Sequence, residues 1–60
     1  MNKFNIFDVV KFKNEDDTYK IYAINYYHNK GVVYEIWRVN DLKEYDDVPE
    51  DKLELVKSYA

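Results

Sequence analysis

The chain of 60 residues is predicted to form one all-β domain over residues 1–60, and three observations support this prediction. Four apolar segments rich in Tyr, Ile and Val alternate with short polar stretches, as strands alternate with turns. The only Gly lies between the second and third segments, where a hairpin turn is expected. Apolar and polar side chains alternate within the first segment, which is the period of a half-buried strand.

The composition limits the kind of domain. A chain of this length buries only about 60 % of its unfolded surface, so its seven Tyr, three Phe and one Trp must supply much of the core. This aromatic content argues against a disordered chain. Cys is absent, which excludes disulfides and Cys-based zinc sites. Twelve acidic residues against nine basic ones give a formal net charge of −3.

The first strand is predicted within residues 6–13, where Val10 and Phe12 fall on one side and two lysines on the other. A polar turn follows at residues 14–17. Residues 18–28 and 32–40 are predicted to form a long hairpin. Gly31 supplies the left-handed residue that closes a type I turn with a G1 bulge.

The turn also predicts a register for the hairpin, in which His28 lies opposite Val32. The pairs that follow are Tyr26 with Tyr34, Ile24 with Ile36 and Tyr22 with Arg38. Neither face of this hairpin is uniformly polar, and a slip of one residue exchanges the faces. We therefore expect a β-bulge near Ala23 and Ile24, or a hairpin bent between two sheets.

In the last third of the chain, a weak strand is predicted at residues 42–45, one helical turn over residues 49–52 and a strand over residues 53–57. Pro49 followed by two acidic residues is typical of a helix start. A longer helix is the alternative, because Leu53 and Val56 lie three residues apart. The predicted core consists of Val10, Phe12, Ile21, Ile24, Ile36, Val48 and Leu53.

Two segments resemble the ends of SH3-like barrels. The sequence FDVVKFK at residues 7–13 resembles their opening strand, G-D-x-V-x-L/F, with Phe7 in place of the usual Gly. The sequence VPEDKLELV at residues 48–56 is similar to their closing segment, F/V-P-E-x-x-L-x-x-V. The chain thus resembles small uncharacterised SH3-like proteins of bacteria and their phages. This resemblance implies a five-stranded SH3-like barrel with one short helical turn near the C-terminus, and it brings no catalytic residues.

The sequence predicts that the protein is not an enzyme. Its hydroxyl nucleophiles other than tyrosines are Thr18 and Ser58, and neither has a His beside it in the sequence. His28 is the only histidine and has no companion ligands for a metal site, so we expect a solvated turn residue. One Gly cannot form a Gly-rich phosphate loop. No catalytic residue, metal or cofactor is predicted.

The tyrosines exceed what so small a core can enclose, and Tyr and Trp are enriched in protein interfaces. We therefore predict a protein-binding patch centred on the hairpin; the alternative is that these rings only cover a thin core. Acidic loops at residues 15–17 and 44–47 would steer the patch towards a basic partner surface. The predicted binding residues are Tyr22, Tyr26, Trp37, Arg38 and Tyr45.

The expected partner is a protein, and one setting is a phage or mobile-element protein that modulates a host nucleic-acid enzyme. Codons rich in A and T would encode much of the chain, which favours a low-G+C source. Monomer and isologous homodimer both stay open. The rival hypothesis is direct nucleic-acid binding; it would use Lys11, Lys13, Lys20 and Lys43. No segment is predicted to span a membrane, and a cytoplasmic location is expected.

Overall fold

The computed structural model describes residues 2–38 and 40–59. One antiparallel sheet of five strands in the order β4-β3-β2-β1-β5 makes up the fold. The strands are β1 (Val9–Phe12), β2 (Thr18–Tyr27), β3 (Gly31–Trp37), β4 (Glu44–Pro49) and β5 (Leu53–Lys57), with a 3-10 helix at Glu50–Lys52 between the last two. The predicted all-β class is confirmed. The predicted barrel is not, because β4 and β5 form the two edges of the described sheet, which is not closed.

The β2–β3 hairpin closes with the predicted turn. Gly31 has a φ of 77°, and the backbone N–H of Lys30 donates to the carbonyl of Tyr27 at 3.1 Å. A left-handed residue directly after such a turn is the G1 bulge, and Gly adopts this conformation without a steric penalty from a Cβ.

The predicted hairpin register is wrong by two residues. Tyr27 lies opposite Gly31, so Tyr26 faces Val32 and not Tyr34. Likewise Ile24 faces Tyr34 and not Ile36. The three loop residues are 28–30, because Gly31 belongs to the ladder and not to the loop. Between the turn and Ala23, this shift of two residues leaves each side chain on its predicted face, since the strand period is also two. Beyond Ala23 the shift is three residues, and Tyr22 does not face Arg38 as predicted.

A β-bulge lies close to its predicted place. The register shifts between Ile21 and Ala23, so Tyr22 is the extra residue. Beyond the bulge Ile21 pairs with Ile36, and the two faces of β2 are exchanged. Bulges also interrupt the β3–β4 and β1–β5 ladders. Each bulge bends its strand, and we call the concave face that carries the core the inner face and the opposite one the outer face.

Two strands begin later than predicted because the backbone before each has a positive φ. Phe7 has a φ of 69°, and β1 begins at Val9. Leu42 has a φ of 58° and belongs to a turn in which its N–H donates to the carbonyl of Arg38 at 2.8 Å. The weak strand predicted at residues 42–45 therefore becomes β4 at Glu44–Pro49. The helical turn and the last strand are confirmed, and the longer helix is excluded.

The core is larger than predicted and more aromatic. The buried cluster is Phe4, Val10, Tyr19, Ile21, Tyr34, Ile36, Val48 and Leu53, with Phe12, Ile24, Val32 and Tyr45 packed against it. All seven predicted core residues belong to this set. Prediction missed Phe4, Tyr19 and Tyr34, because a Tyr in an alternating strand fits the surface as well as the interior. Val33 is also buried, outside this cluster.

Tyr34 anchors the N-terminal segment through a hydrogen-bond network. Its ring is fully buried, and its hydroxyl donates to Glu50 Oε2 at 2.5 Å. The backbone N–H of Phe4 donates to the Tyr34 hydroxyl at 3.3 Å, and that of Lys3 donates to Glu50 Oε2 at 2.8 Å. Burial, and secondarily the bond to Glu50, raise the pKa of Tyr34 to about 12.

The raised pKa predicts a loss of stability at alkaline pH. An unfolded Tyr loses its proton near pH 10, whereas the folded Tyr34 keeps it up to about pH 12. Because the native state then binds more protons, the free energy of unfolding should fall between these two pH values. Denaturant titrations below pH 10 and near pH 12 should show a steeper fall for the wild type than for Tyr34→Phe.

Tyr34→Phe should also lower the free energy of unfolding by about 1–3 kcal/mol at neutral pH, because it leaves the buried backbone N–H of Phe4 without its acceptor. The remaining Tyr and Lys residues titrate in both proteins, so the difference between them isolates Tyr34. Parallel pH profiles for the two proteins would contradict the assignment.

Candidate functional site

The predicted binding residues lie on two different faces of the sheet. Tyr22 and Trp37 meet on the outer face, with ring centroids 5.1 Å apart. Tyr45 pairs with Ile36 and therefore points to the inner face. Tyr26 lies near the hairpin turn and is 71 % exposed. The structure thus brings together only two of the four predicted aromatic residues.

The outer face carries a continuous row of four aromatic rings, Phe7, Tyr22, Trp37 and Tyr59, which we call the aromatic strip. Besides the Tyr22–Trp37 contact, Phe7 lies 5.7 Å from Tyr22 and 5.4 Å from Tyr59 between centroids, in edge-to-face geometry. Tyr59 is 70 % exposed, Tyr22 43 % and Phe7 40 %. Large rings that are exposed side by side are a feature of interaction surfaces more than of monomer surfaces.

The backbone around Asp8 holds one end of the strip in place. The Phe7 N–H donates to the carbonyl of Ile21 at 2.8 Å, and the Ile21 N–H donates to the carbonyl of Asp8 at 3.1 Å. The buried Asp8 carboxylate accepts the N–H of Asn5 and the N–H of Tyr59, each at 2.9 Å. The sequence analysis missed Phe7 and Tyr59. The one available signal in the sequence was the bulky Phe7 at the position where the opening strand of SH3-like barrels has Gly.

Opposite charges flank the aromatic strip. Towards β4, Glu35, Glu44 and Asp46 bring carboxylate oxygens within 4.8 Å of one another, and Glu35 accepts the Trp37 indole N–H at 3.0 Å. This spacing suits a hard cation, but it is also common among exposed acidic residues. The cluster therefore places negative charge beside Trp37.

Towards β5 the charge along the strip is positive. Lys20 lies opposite both Trp37 and Val9, and Lys57 lies opposite Val9 on the other side. A shallow pocket of about 180 Å³ opens here; it is lined by Phe7, Val9, Lys20, Lys57, Ser58 and Tyr59. The strip therefore runs from an acidic end to a basic end.

A larger groove follows the edge strand β4. It has a volume of about 390 Å³, and we call it the acidic groove; it is lined by Phe12, Glu15, Tyr45, Asp46, Asp47, Val48, Pro49 and Lys52. Two aromatic rings, those of Phe12 and Tyr45, line it, and both pack edge to face against each other and against Tyr19, with centroids 5.2–5.7 Å apart. Three of the lining side chains are carboxylates and one is an ammonium group. Glu15 belongs to the predicted acidic loop at residues 15–17, whereas residues 44–47, predicted as a second loop, lie in β4.

Arg38 is already engaged within the fold. Its guanidinium donates two bonds to Asp41, at 2.9 and 2.7 Å, and a third to Asp17 at 2.5 Å. The bond from Arg38 lowers the pKa of Asp41 to about 2. The guanidinium also lies 6.0 Å from the centre of the Tyr19 ring. These contacts join the loop before β2 to the turn before β4.

The four lysines of the nucleic-acid hypothesis are divided. Lys11 forms a 2.9 Å ion pair with Glu54, whereas Lys43 lies 5.3 Å over the ring of Tyr45. Lys20 is beside the aromatic strip, with Lys57 nearby. Lys13 is exposed at the end of β1. Of these four lysines, Lys20 therefore lies beside the exposed rings of the aromatic strip, and Lys43 lies over Tyr45.

No family model, no curated protein and no solved structure matches the chain. Among the described residues, no helix has the length and apolar character to cross a membrane. The acidic groove and the aromatic strip are two surfaces of the described residues with the shape and charge to bind a partner.

Removal of the Asp8 carboxylate should loosen one end of the strip. Asp8→Ala leaves two backbone donors without a partner, so we expect a loss of about 1–3 kcal/mol in the free energy of unfolding. Amide hydrogen exchange at Tyr59 should accelerate more than that at Ile36, which lies in the core. Asp8→Asn is the matched control, because it keeps an acceptor oxygen for one of the two donors. Unchanged exchange at Tyr59 in Asp8→Ala would contradict this role.

Proposed function

We propose that the protein is a non-enzymatic binding module that holds an extended, basic segment of a partner protein in the acidic groove. The observation that carries this proposal is the groove itself, an aromatic floor with an acidic rim along an edge strand. A segment in extended conformation can place alternate side chains in such a groove.

The position of β4 suits an extended segment. Residues 45–49 line the groove consecutively, and β4 has a strand neighbour on one side only. Backbone N–H and C=O groups on the free side of an edge strand are available to a further strand. Phe12 and Tyr45 offer contact area at little entropy cost, because their rings are already held by neighbouring rings.

The charge of the groove selects a basic segment. Glu15, Asp46 and Asp47 face it with only Lys52 of opposite sign among the lining residues. The net charge of the chain is also negative, at −3. Such a surface attracts Lys and Arg side chains and repels free nucleic acid. Host enzymes that act on nucleic acid present basic surfaces, and modulation of such an enzyme is the setting that we propose.

We further propose that the fold is an SH3-like barrel with one open side. Support comes from the meander of four strands with β5 returning beside β1, and from the 3-10 helix before the last strand. The bulges in three ladders bend the sheet around its core. The groove along β4 lies at one of the two unpaired edges.

A peptide titration tests the proposal. The probe is a fluorescein-labelled peptide of alternating Arg and Val, and the control peptide has Glu in place of Arg. We expect the anisotropy to show at least roughly tenfold tighter binding of the Arg peptide, a difference of about 1.4 kcal/mol. Weak or equal binding of the two peptides at physiological salt would overturn the proposal.

Two variants locate that binding. Asp47 has a φ of 55°, a conformation that Asn also tolerates, so Asp47→Asn removes charge without new strain. Asp47→Asn and Tyr45→Leu should each lower the affinity for the Arg peptide several-fold. Tyr26→Ser is the control outside the groove and should bind like the wild type. Circular dichroism confirms that each variant is folded. Equal affinity in all variants would place the peptide elsewhere.

Nucleic-acid binding is the second candidate, and the lysines beside the aromatic strip favour it. Lys20 and Lys57 flank exposed rings on which bases could stack. The logarithm of the affinity for a single-stranded DNA probe should then fall linearly with the logarithm of the salt concentration, with a slope of about one per phosphate neutralised. Binding that survives Tyr45→Leu but is lost in Lys20→Glu would favour this candidate over the acidic groove.

A further inference from the structure

We infer that the aromatic strip is the interface of a two-fold symmetric homodimer of this chain. This surface is distinct from the acidic groove, so the inference goes beyond the proposed function. Three features of the strip support it: the exposure of its rings, the backbone conformation of Phe7 and the distribution of charge along it.

The exposed rings are fixed in position before any partner binds. Phe7, Tyr22 and Trp37 contact one another in sequence at 5.1–5.7 Å, and Tyr59 continues the row. Rings held in this way lose little conformational entropy on association. Aromatic residues are also enriched where proteins meet.

Phe7 adopts a conformation that its own burial does not explain. Its φ of 69° is left-handed, a conformation that is strained for a residue with a Cβ. A Gly would adopt this φ without that cost, and the Phe7 side chain is still 40 % exposed. What the side chain provides is the link between the rings of Tyr22 and Tyr59. Strain of this kind is typical of functional sites.

The charge along the strip identifies the occupant as a second copy. The end towards β4 carries Glu35 and Glu44, and the end towards β5 carries Lys20 and Lys57. A uniformly basic partner would be repelled by the lysines, and a uniformly acidic partner would be repelled by the carboxylates. A two-fold axis perpendicular to the surface that carries the strip instead places the acidic end of each copy against the basic end of the other. Such a surface is complementary to itself, as an isologous interface requires.

Sedimentation equilibrium of the full chain tests the dimer directly. We expect a mass close to twice the 7.3 kDa of the monomer at high concentration, with dissociation on dilution and weaker association at high salt. A monomer mass at every concentration up to about 1 mM would overturn the inference. A dissociation constant of about 1 mM corresponds to a binding free energy of only about 4 kcal/mol.

A charge exchange then tests the arrangement. One double variant is Lys20→Glu with Lys57→Glu, and the other is Glu35→Lys with Glu44→Lys. Each alone places like charges against each other and should sediment as a monomer under conditions where the wild type is a dimer. An equimolar mixture should restore the dimer, because the two charge patterns are then complementary. The inference is wrong if the mixture stays monomeric, or if either double variant still dimerises by itself.

Phe7→Gly distinguishes an interface role from a covering role. At concentrations where the monomer dominates, we expect Phe7→Gly to unfold no more easily than the wild type, because the left-handed strain is relieved. The dimer dissociation constant should rise by roughly tenfold or more. A less stable monomer with unchanged dimerisation would mean that Phe7 only covers the sheet, and would contradict the inference. The Arg peptide should bind Phe7→Gly as it binds the wild type, so failure of the dimer leaves the acidic groove independently testable.

Discussion

The β-bulge at Tyr22 is the constraint on which both the core and the outer surface depend. Without the extra residue, the alternation along β2 would put Ile21 and Ile24 on opposite faces of the sheet. With it, both belong to the core set, Ile21 in the buried cluster and Ile24 packed against it. The same bulge leaves Tyr22 outside the ladder, where its ring reaches Trp37. One inserted residue therefore completes the interior and builds the aromatic strip.

A chain of 60 residues has little interior, and its aromatic residues are divided accordingly. Tyr19 and Tyr34 are buried, and Tyr45 closes a ring cluster at the floor of the acidic groove. The Tyr34 hydroxyl joins the sheet to Glu50 and to the N-terminal segment. Others, such as Tyr22 and Tyr59, stay on the surface. Rings that build the core and rings that stay exposed are therefore both present in one molecule.

The charges are also divided by the fold. The aromatic strip separates carboxylates near β4 from lysines near β5 on the outer face. The acidic groove collects carboxylates from β4 and from the loop after β1. The guanidinium of Arg38 is paired with Asp17 and Asp41 at the surface. Each surface thus has a charge pattern of its own, which is why the two are proposed to bind different partners.

The sequence by itself determined the all-β class, the hairpin turn at Gly31, the helical turn before the last strand and every core residue that was predicted. These features depend on local chemistry: a left-handed Gly, a Pro before acidic residues, and a side-chain alternation that survives a shift of two residues. The register of the hairpin, the start of β4 and the partners of each Tyr were decided only by the tertiary structure. The bulge and the positive φ angles of Phe7 and Leu42 change which residues face each other. Phe7 and Tyr59 could not be assigned to the site from the sequence, because the contact between them is made across 52 positions of the chain and held by the buried carboxylate of Asp8.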